Sequence, residues 1–148
     1  MPIDYQPIEI DRNGVQHRLL VAGVGGLPPS MPWRVFLSSR KVAGAAFLEI
    51  IEWAESFPTG EAILATGHHS PVEKEVTRIL LRRGGRVVVL PARGPFKQVP
   101  AELRVGFKSG RVHLLAIAAW KDSRPTRARC LERNALLREL CDESNKLF

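Results

Sequence analysis

Short apolar runs alternate with helix-like segments along residues 33–148, and this alternation constrains the fold more than any other feature. A strand–helix–strand rhythm is typical of βαβ units, whose strands form a parallel sheet with helices on its faces. The run RVVVLPA has apolar residues on both faces, as expected of a strand covered from both sides. The predicted strands are 33–39, 61–67, 86–92 and 112–119, and the predicted helices are 43–57, 70–85, 99–110 and 130–143.

The two ends of the chain complete this architecture. The first 24 residues read as two short strands around Asn13-Gly14, a dipeptide favoured in tight hairpin turns. A Gly- and Pro-rich linker follows at 25–32, and residues 145–148 resemble the opening of one more strand. We therefore predict a hairpin and linker at 1–32 and a three-layer α/β domain at 33–148, with a mainly parallel sheet of about five strands.

The charge of the chain is unevenly distributed. Lys and Arg number 22 against 15 Asp and Glu, a net charge of +7. Residues 1–60 carry 5 basic and 6 acidic side chains, a net of −1, whereas residues 61–148 carry 17 and 9, a net of +8. Two interpretations stay open: a polyanionic partner such as nucleic acid or a nucleotide, or a solvated basic surface that aids solubility.

Several classes of protein are disfavoured by what the sequence lacks. It contains no apolar run of about 18 residues, as a spanning helix would need, and no basic and apolar leader. We therefore expect a cytoplasmic protein with no membrane partner. Cys130 and Cys141 are expected to be reduced and to pack as small apolar residues. No zinc pattern, phosphate-binding P-loop, dinucleotide fingerprint or serine nucleophile elbow is visible, so neither a metal nor a cofactor is predicted.

Ligands of parallel α/β sheets bind outside the carboxyl ends of the strands, and this rule selects four loops: 38–41, 66–70, 91–95 and 119–129. The second loop, Thr66–Ser70, ends at a helix start, where free backbone N–H groups favour an anion. Ser70 and Glu73 form a capping-box pattern there. The composition of each loop is also typical of an ordinary solvated turn with no ligand. Trp120, beside the basic loop, is a candidate either for stacking on a base or for packing at the sheet edge.

The stretch Ala65–Glu75, followed by a helix, Gly84-Gly85 and an apolar strand, resembles the DNA-processing protein A (DprA/Smf) family. Ser38-Ser39-Arg40 is similar to the Gly-Ser-Arg that follows the first core strand of that family. Glu132-Arg133-Asn134 is similar to its Arg-Asn motif. The family turn Ala-Arg-Gly-Ile-Asp is replaced here by His68–Pro71, so the pocket arginine is missing.

This resemblance implies a Rossmann-like domain related to the wider SLOG group of nucleotide-ligand binders. It also implies binding of single-stranded DNA in a basic pocket without catalytic residues, a homodimer and a recombinase partner. Together with the loops selected above, it gives one set of candidate phosphate-binding residues. These are Ser39, Arg40, Lys41, Gly67, His68, His69, Ser70, Arg93, Arg124, Arg127, Arg129, Arg133 and Asn134.

The predicted function is therefore non-catalytic binding of a phosphate-bearing ligand, with single-stranded DNA as the leading candidate. Three alternatives remain open on the sequence. The chain could be a small-nucleotide sensor that uses the turn at 67–70, a nucleotide hydrolase that uses Glu73 or a histidine, or a relative that mediates only protein contacts.

Overall fold

A computed structural model describes residues 3–12, 14–38, 41–141 and 146–147. The strands are β1 (Gln6–Arg12), β2 (Val15–Ala22), β3 (Trp33–Leu37), β4 (Ile63–Thr66), β5 (Arg86–Val89), β6 (Val112–Ala116) and β7 (Lys146–Leu147). The helices are α1 (Gly44–Glu55), α2 (Pro71–Arg82), α3 (Arg104–Lys108) and α4 (Arg127–Leu140), and a 3₁₀ turn at Ala101–Leu103 precedes α3.

The strands form one sheet in the order β1-β2-β6-β5-β4-β3-β7. All pairings among β6, β5, β4, β3 and β7 are parallel, so the mainly parallel sheet of about five strands is confirmed. The hairpin β1-β2 is antiparallel, and β2 continues the same sheet by pairing with β6. Gly14 supplies the positive φ, 76°, that the hairpin turn requires; Asn13 lies outside the described residues.

Apolar side chains on the two faces of the sheet form two clusters. Leu64 of β4 packs with residues of α1 and α2 on one face. Its neighbours Ile63 and Ala65 pack on the other face with Leu137 of α4. Successive side chains of a strand point to opposite faces, so helices cover the sheet on both sides and β4 is buried at every position.

Local signals place α2 as predicted. The Ser70 hydroxyl accepts the Glu73 N–H and the Glu73 side chain accepts the Ser70 N–H, which completes the capping box. Gly84 follows the helix with a φ of 82°, and the Gly85 N–H bonds back to the Leu80 carbonyl.

Three boundaries differ from the prediction. The strands β3, β4, β5 and β6 end one to three residues earlier than predicted, because the backbone turns away; the Trp120 N–H, for example, bonds to the Ile117 carbonyl. The predicted helix at 99–110 is only a 3₁₀ turn and a five-residue helix, with Pro100 ahead of it and Gly110 after it. α4 begins at Arg127, not at 130, because Thr126 caps it by accepting the Arg129 N–H.

Candidate functional site

Connections at the carboxyl ends of β3, β4, β5 and β6 meet the first turns of α4 at one edge of the sheet. β3 lies between β4 and β7, so the strand order changes direction beside β3. Such a switch point is where open α/β sheets bind ligands. Of the predicted residues after β3, Ser39 and Arg40 lie outside the described residues, whereas Lys41 is exposed just ahead of α1.

The turn after β4 is fixed by the buried carboxylate of Glu73. One oxygen, Oε1, accepts the N–H groups of His69 and Ser70 at 2.7 and 3.3 Å, and Oε2 accepts the N–H of Ser38 at 3.0 Å. The Ser70 and Ser38 hydroxyls are 2.9 Å apart. The expectation of free N–H donors at this helix start is therefore wrong for His69, Ser70 and Glu73, because the chain already uses these donors. Glu73 instead ties the end of β3 to the turn after β4.

Gly67 lies directly beneath the guanidinium of Arg133. A Cβ added to Gly67 would sit 1.9 Å from Arg133 Nη1 and 2.4 Å from its Cζ, so only glycine leaves room for this contact. Arg133 Nη1 donates to the Leu90 carbonyl at 3.1 Å, and its Nε donates to Asn134 Oδ1 at 2.7 Å. Arg133 thus joins the ends of β4 and β5 to α4, and Asn134 orients its guanidinium.

The Arg133 side chain is a buried cation. The residue is only 3% exposed, and among the described residues it forms no ion pair. Burial lowers its pKa, and the charge of Glu73 opposes this shift. A guanidinium carries five N–H donors and stays protonated in proteins; within the described part of the chain only two of the five find an acceptor. The edge therefore holds a buried positive charge that no carboxylate of the described residues pairs with directly.

His68 occupies a strained position in the same turn. Its φ is 51°, a left-handed conformation that is uncommon for residues other than glycine. Its Nε2 lies 2.9 Å from Glu102 Oε1, so Nε2 carries the hydrogen in the neutral ring. Burial lowers the pKa of His68 despite this contact, and Lys74 also lies near enough to oppose protonation. The buried Nδ1, an acceptor in this tautomer, has no partner among the described residues.

The first turn of α4 brings a second arginine to the edge. Arg129 lies four residues before Arg133, on the same face of the helix. Its guanidinium carbon is 5.5 Å from the ring centre of Trp120, and its Nη2 is 3.7 Å from Asp122 Oδ2. Trp120 is 9% exposed and covered by Arg129, so its ring offers no open face for a base. Of the two interpretations of Trp120, packing at the sheet edge is the one that its burial favours.

The loops after β5 and β6 touch each other. The Gly94 N–H donates to the Asp122 carbonyl at 2.7 Å, and a Cβ on Gly94 would meet the Lys121 and Trp120 backbone at 2.9 Å. Arg93, next to Gly94, packs 4.9 Å from the ring centre of Phe96. The edge is thereby surrounded by cations of several elements. The exposed ones are Lys41, Lys74, Lys121, Arg124 and Arg127, and the half-buried ones are Arg93 and Arg129.

Not all of the positive charge belongs to this edge. Arg83 donates to the Ala54 and Phe57 carbonyls, Arg86 to that of Gly110, and Arg111 to that of Leu81. These three arginines lie at the opposite, amino edge of the sheet, where they satisfy carbonyls left at helix ends and turns. The charge excess of residues 61–148 is therefore divided between structural contacts and the candidate site.

Sequence reasoning missed part of the site. Lys74 and Glu102 were not selected, although Lys74 stands one turn into the helix after the selected loop. Glu102 has no signal of its own, because it reaches His68 from a segment 34 residues away. Arg127 and Arg129 were assigned to a loop and belong to α4; the Thr126 cap was the signal that identifies this helix start.

Comparisons with known proteins agree with this fold. No family model matches the chain, and no curated protein matches it by sequence. A solved structure of DNA processing protein A from Helicobacter pylori, described for its single-stranded DNA binding mode, superposes with a TM-score of 0.72. The identity is 16%, and the match covers 99% of this chain and 71% of the other. At this identity the likeness shows a shared α/β fold. In the part of the chain that the structure describes, no helix is long and apolar enough to cross a membrane.

Proposed function

We propose that the carboxyl edge of the sheet binds single-stranded DNA through its sugar–phosphate backbone, in a DprA-like role without catalysis. The observation that carries this proposal is the group of exposed and half-buried cations at this edge, which surrounds the Arg133 guanidinium, itself buried over Gly67 with no carboxylate partner among the described residues. Phosphate is the anion that suits such a site, because arginine presents a planar fork of donors to its oxygens.

The spread of the cations favours a polymer over a single nucleotide. Lys41 follows β3, Lys74 is in α2, Arg93 follows β5, and Arg124 and Arg127 stand at the start of α4. A strand that crosses these elements in turn would place successive phosphates beside them. Contacts of this kind give affinity and salt dependence rather than sequence preference. The choice of a single strand over a duplex rests on the resemblance to DprA and on the solved DprA structure.

The chemistry of the edge favours binding over turnover. Glu73, the carboxylate closest to the turn in sequence, is buried and accepts backbone N–H groups at both oxygens. The neutral His68 donates its Nε2 hydrogen to Glu102. Both side chains therefore serve to hold the loops. This role weighs against a hydrolase built on Glu73 or His68.

A small-nucleotide sensor is the second candidate, and one observation favours it. The unused donors of Arg133, in α4, lie over Gly67, and the His68 Nδ1 acceptor belongs to the next residue of the turn. A hydroxyl or amino group and a phosphate of one mononucleotide would satisfy both.

The test is fluorescence anisotropy with a labelled single strand of roughly 20 nucleotides, a matching duplex and unlabelled mononucleotides, repeated over a range of salt. We expect the single strand to bind more tightly than the duplex. The variant Lys121→Glu/Arg124→Glu/Arg127→Glu changes three exposed side chains, and we expect it to lower the affinity more than about tenfold and to flatten the salt slope by about 2. The matched control, Arg82→Glu/Arg104→Glu/Lys108→Glu, carries the same charge change at exposed side chains outside the proposed DNA contacts, and we expect it to keep the affinity.

Two results would overturn the proposal. One is absence of strand binding by the unmodified chain at low salt. The other is an equal loss of affinity in the two triple variants, which would mean that net charge alone attracts the strand. If an unlabelled mononucleotide competed as effectively as the unlabelled strand, the result would favour a small-nucleotide sensor over a DNA-binding protein.

A further inference from the structure

A cavity of about 860 Å³ lies away from the carboxyl edge, between the N-terminal segment, the glycine-rich stretch 23–26 and α3. Its volume is within the range of about 300–1,000 Å³ that small-molecule sites occupy. None of the residues that line it belongs to the proposed DNA contacts. The cavity is therefore separate from the proposed DNA interface and large enough to hold a small molecule.

The walls of the cavity are largely apolar. Ile8 and Val21 contribute from the hairpin, Leu27 from the segment after it, and Phe107 from α3. All four are only half-buried, so the fold leaves part of their apolar surface in contact with water. Covering that surface with the hydrocarbon part of a ligand would be favourable.

Two cations stand at the rim of the cavity. Arg104 and Lys108 lie four residues apart in α3, on one face of the helix, and both line the cavity. Both are exposed, and neither forms an ion pair or a side-chain hydrogen bond with any residue that the structure describes. Asp4, a carboxylate that also lines the cavity, accepts a hydrogen bond from Gln6. The cations of α3 are thus available to an anionic group.

We propose that this cavity is a second binding site, for an amphipathic organic anion. The apolar chain or ring of the ligand packs against Ile8, Val21, Leu27 and Phe107, and its carboxylate, sulfonate or phosphate group contacts Arg104 and Lys108. The site is independent of the proposed DNA interface. Its occupation is expected to leave strand binding unchanged.

The test uses decanoate in isothermal titration calorimetry and anilinonaphthalene sulfonate in fluorescence, both with the full chain. We expect one saturable site for each probe, with mutual competition. Decanol, which lacks the charge, should bind at least about tenfold more weakly than decanoate.

Two variants locate the site. Gly26 lines the cavity and has no atom within 4 Å of an added Cβ, so Gly26→Trp should fill the space and abolish binding. Gly60→Trp, at an equally open glycine outside the cavity, is its control. Arg104→Gln/Lys108→Gln should lower the affinity for decanoate about tenfold and leave the affinity for decanol unchanged. Arg78→Gln/Arg82→Gln removes the same charge elsewhere and should change neither affinity.

Three outcomes would overturn the proposal: no saturable binding of either probe, binding that Gly26→Trp leaves intact, or equal effects of the two charge-removing pairs. Since the Arg104 and Lys108 side chains are exposed, the double variant keeps the test valid if Gly26→Trp fails to fold. Strand binding measured in the same variants separates this site from the carboxyl edge.

Discussion

Replacing Gly67 by alanine tests the central contact of the candidate site. The added Cβ would lie 1.9 Å from Arg133 Nη1, far inside van der Waals contact, so the guanidinium must move. Arg133 is buried and held by the Leu90 carbonyl and by Asn134, and it cannot shift without losing these bonds. The substitution should therefore act through Arg133 and not through the backbone of Gly67.

The expected cost follows from the bond that is lost. A hydrogen bond to a charged group contributes about 1.5–3 kcal/mol, and overpacking without movement costs a similar 1–3 kcal/mol. Alanine also restricts the unfolded chain, which returns about 0.4–1 kcal/mol. We therefore expect Gly67→Ala to lower the free energy of unfolding by about 0.5–2.5 kcal/mol. Gly60→Ala, at a glycine with open space around it, should cost nothing.

Urea unfolding of a double-mutant cycle with Arg133→Ala provides the measurement. Once the guanidinium is absent, Gly67→Ala meets no clash, so its cost should vanish in that background. The effect of alanine on the unfolded chain is the same in both backgrounds, so the coupling energy should be about 1.5–3 kcal/mol. Equal effects of Gly67→Ala with and without Arg133 would refute the reasoning. So would a Gly67→Ala protein as stable as Gly60→Ala.

Two further predictions concern the same turn. Glu73→Gln should lower the free energy of unfolding in urea by about 2–3 kcal/mol, because an amide cannot accept N–H groups at both ends. Glu75→Gln removes only the surface pair with Arg78 and should change this free energy by less than about 0.5 kcal/mol. Equal losses in the two variants would contradict the role given to Glu73. Burial lowers the pKa of His68 from 6.5, so the unfolded chain binds this proton more readily. The free energy of unfolding should therefore reach its full value above about pH 6.5, where His68 is neutral in both states, and decline at lower pH. The decline should be less steep in His68→Gln, and identical pH profiles of the two proteins would contradict this account.

Signals that act over a few residues were readable from the sequence. The capping box of Ser70 and Glu73 and the alternation of strands and helices each depend on neighbours in the chain. The structure has the capping box at these residues and the elements in the predicted order, with the boundary differences given above. The same holds for the two residues of β7 that pair with β3.

Contacts between segments that are distant in the chain could not be predicted from the sequence. The pairing of β2 with β6 joins residues about 95 positions apart, and no local pattern encodes it. By charge alone Arg133 is one more cation of a basic stretch. The resemblance to the Arg-Asn motif selected it, but its burial over Gly67 depends on the packing of α4 and could not be predicted. Net charge likewise cannot tell a structural arginine such as Arg83 from one available to a ligand.

The turn after β4 is held from two sides by opposite buried charges. Glu73 accepts its backbone N–H groups, and Arg133 lies over Gly67. The charge of Glu73 favours the protonated form of Arg133 without direct contact, because it opposes the lowering of the Arg133 pKa by burial. A turn fixed in this way has few donors left, so most phosphate contacts would have to come from the exposed cations around it. Variants of the turn should therefore change the free energy of unfolding more than the strand affinity. Variants of Lys121, Arg124 and Arg127 should change the strand affinity more than the free energy of unfolding.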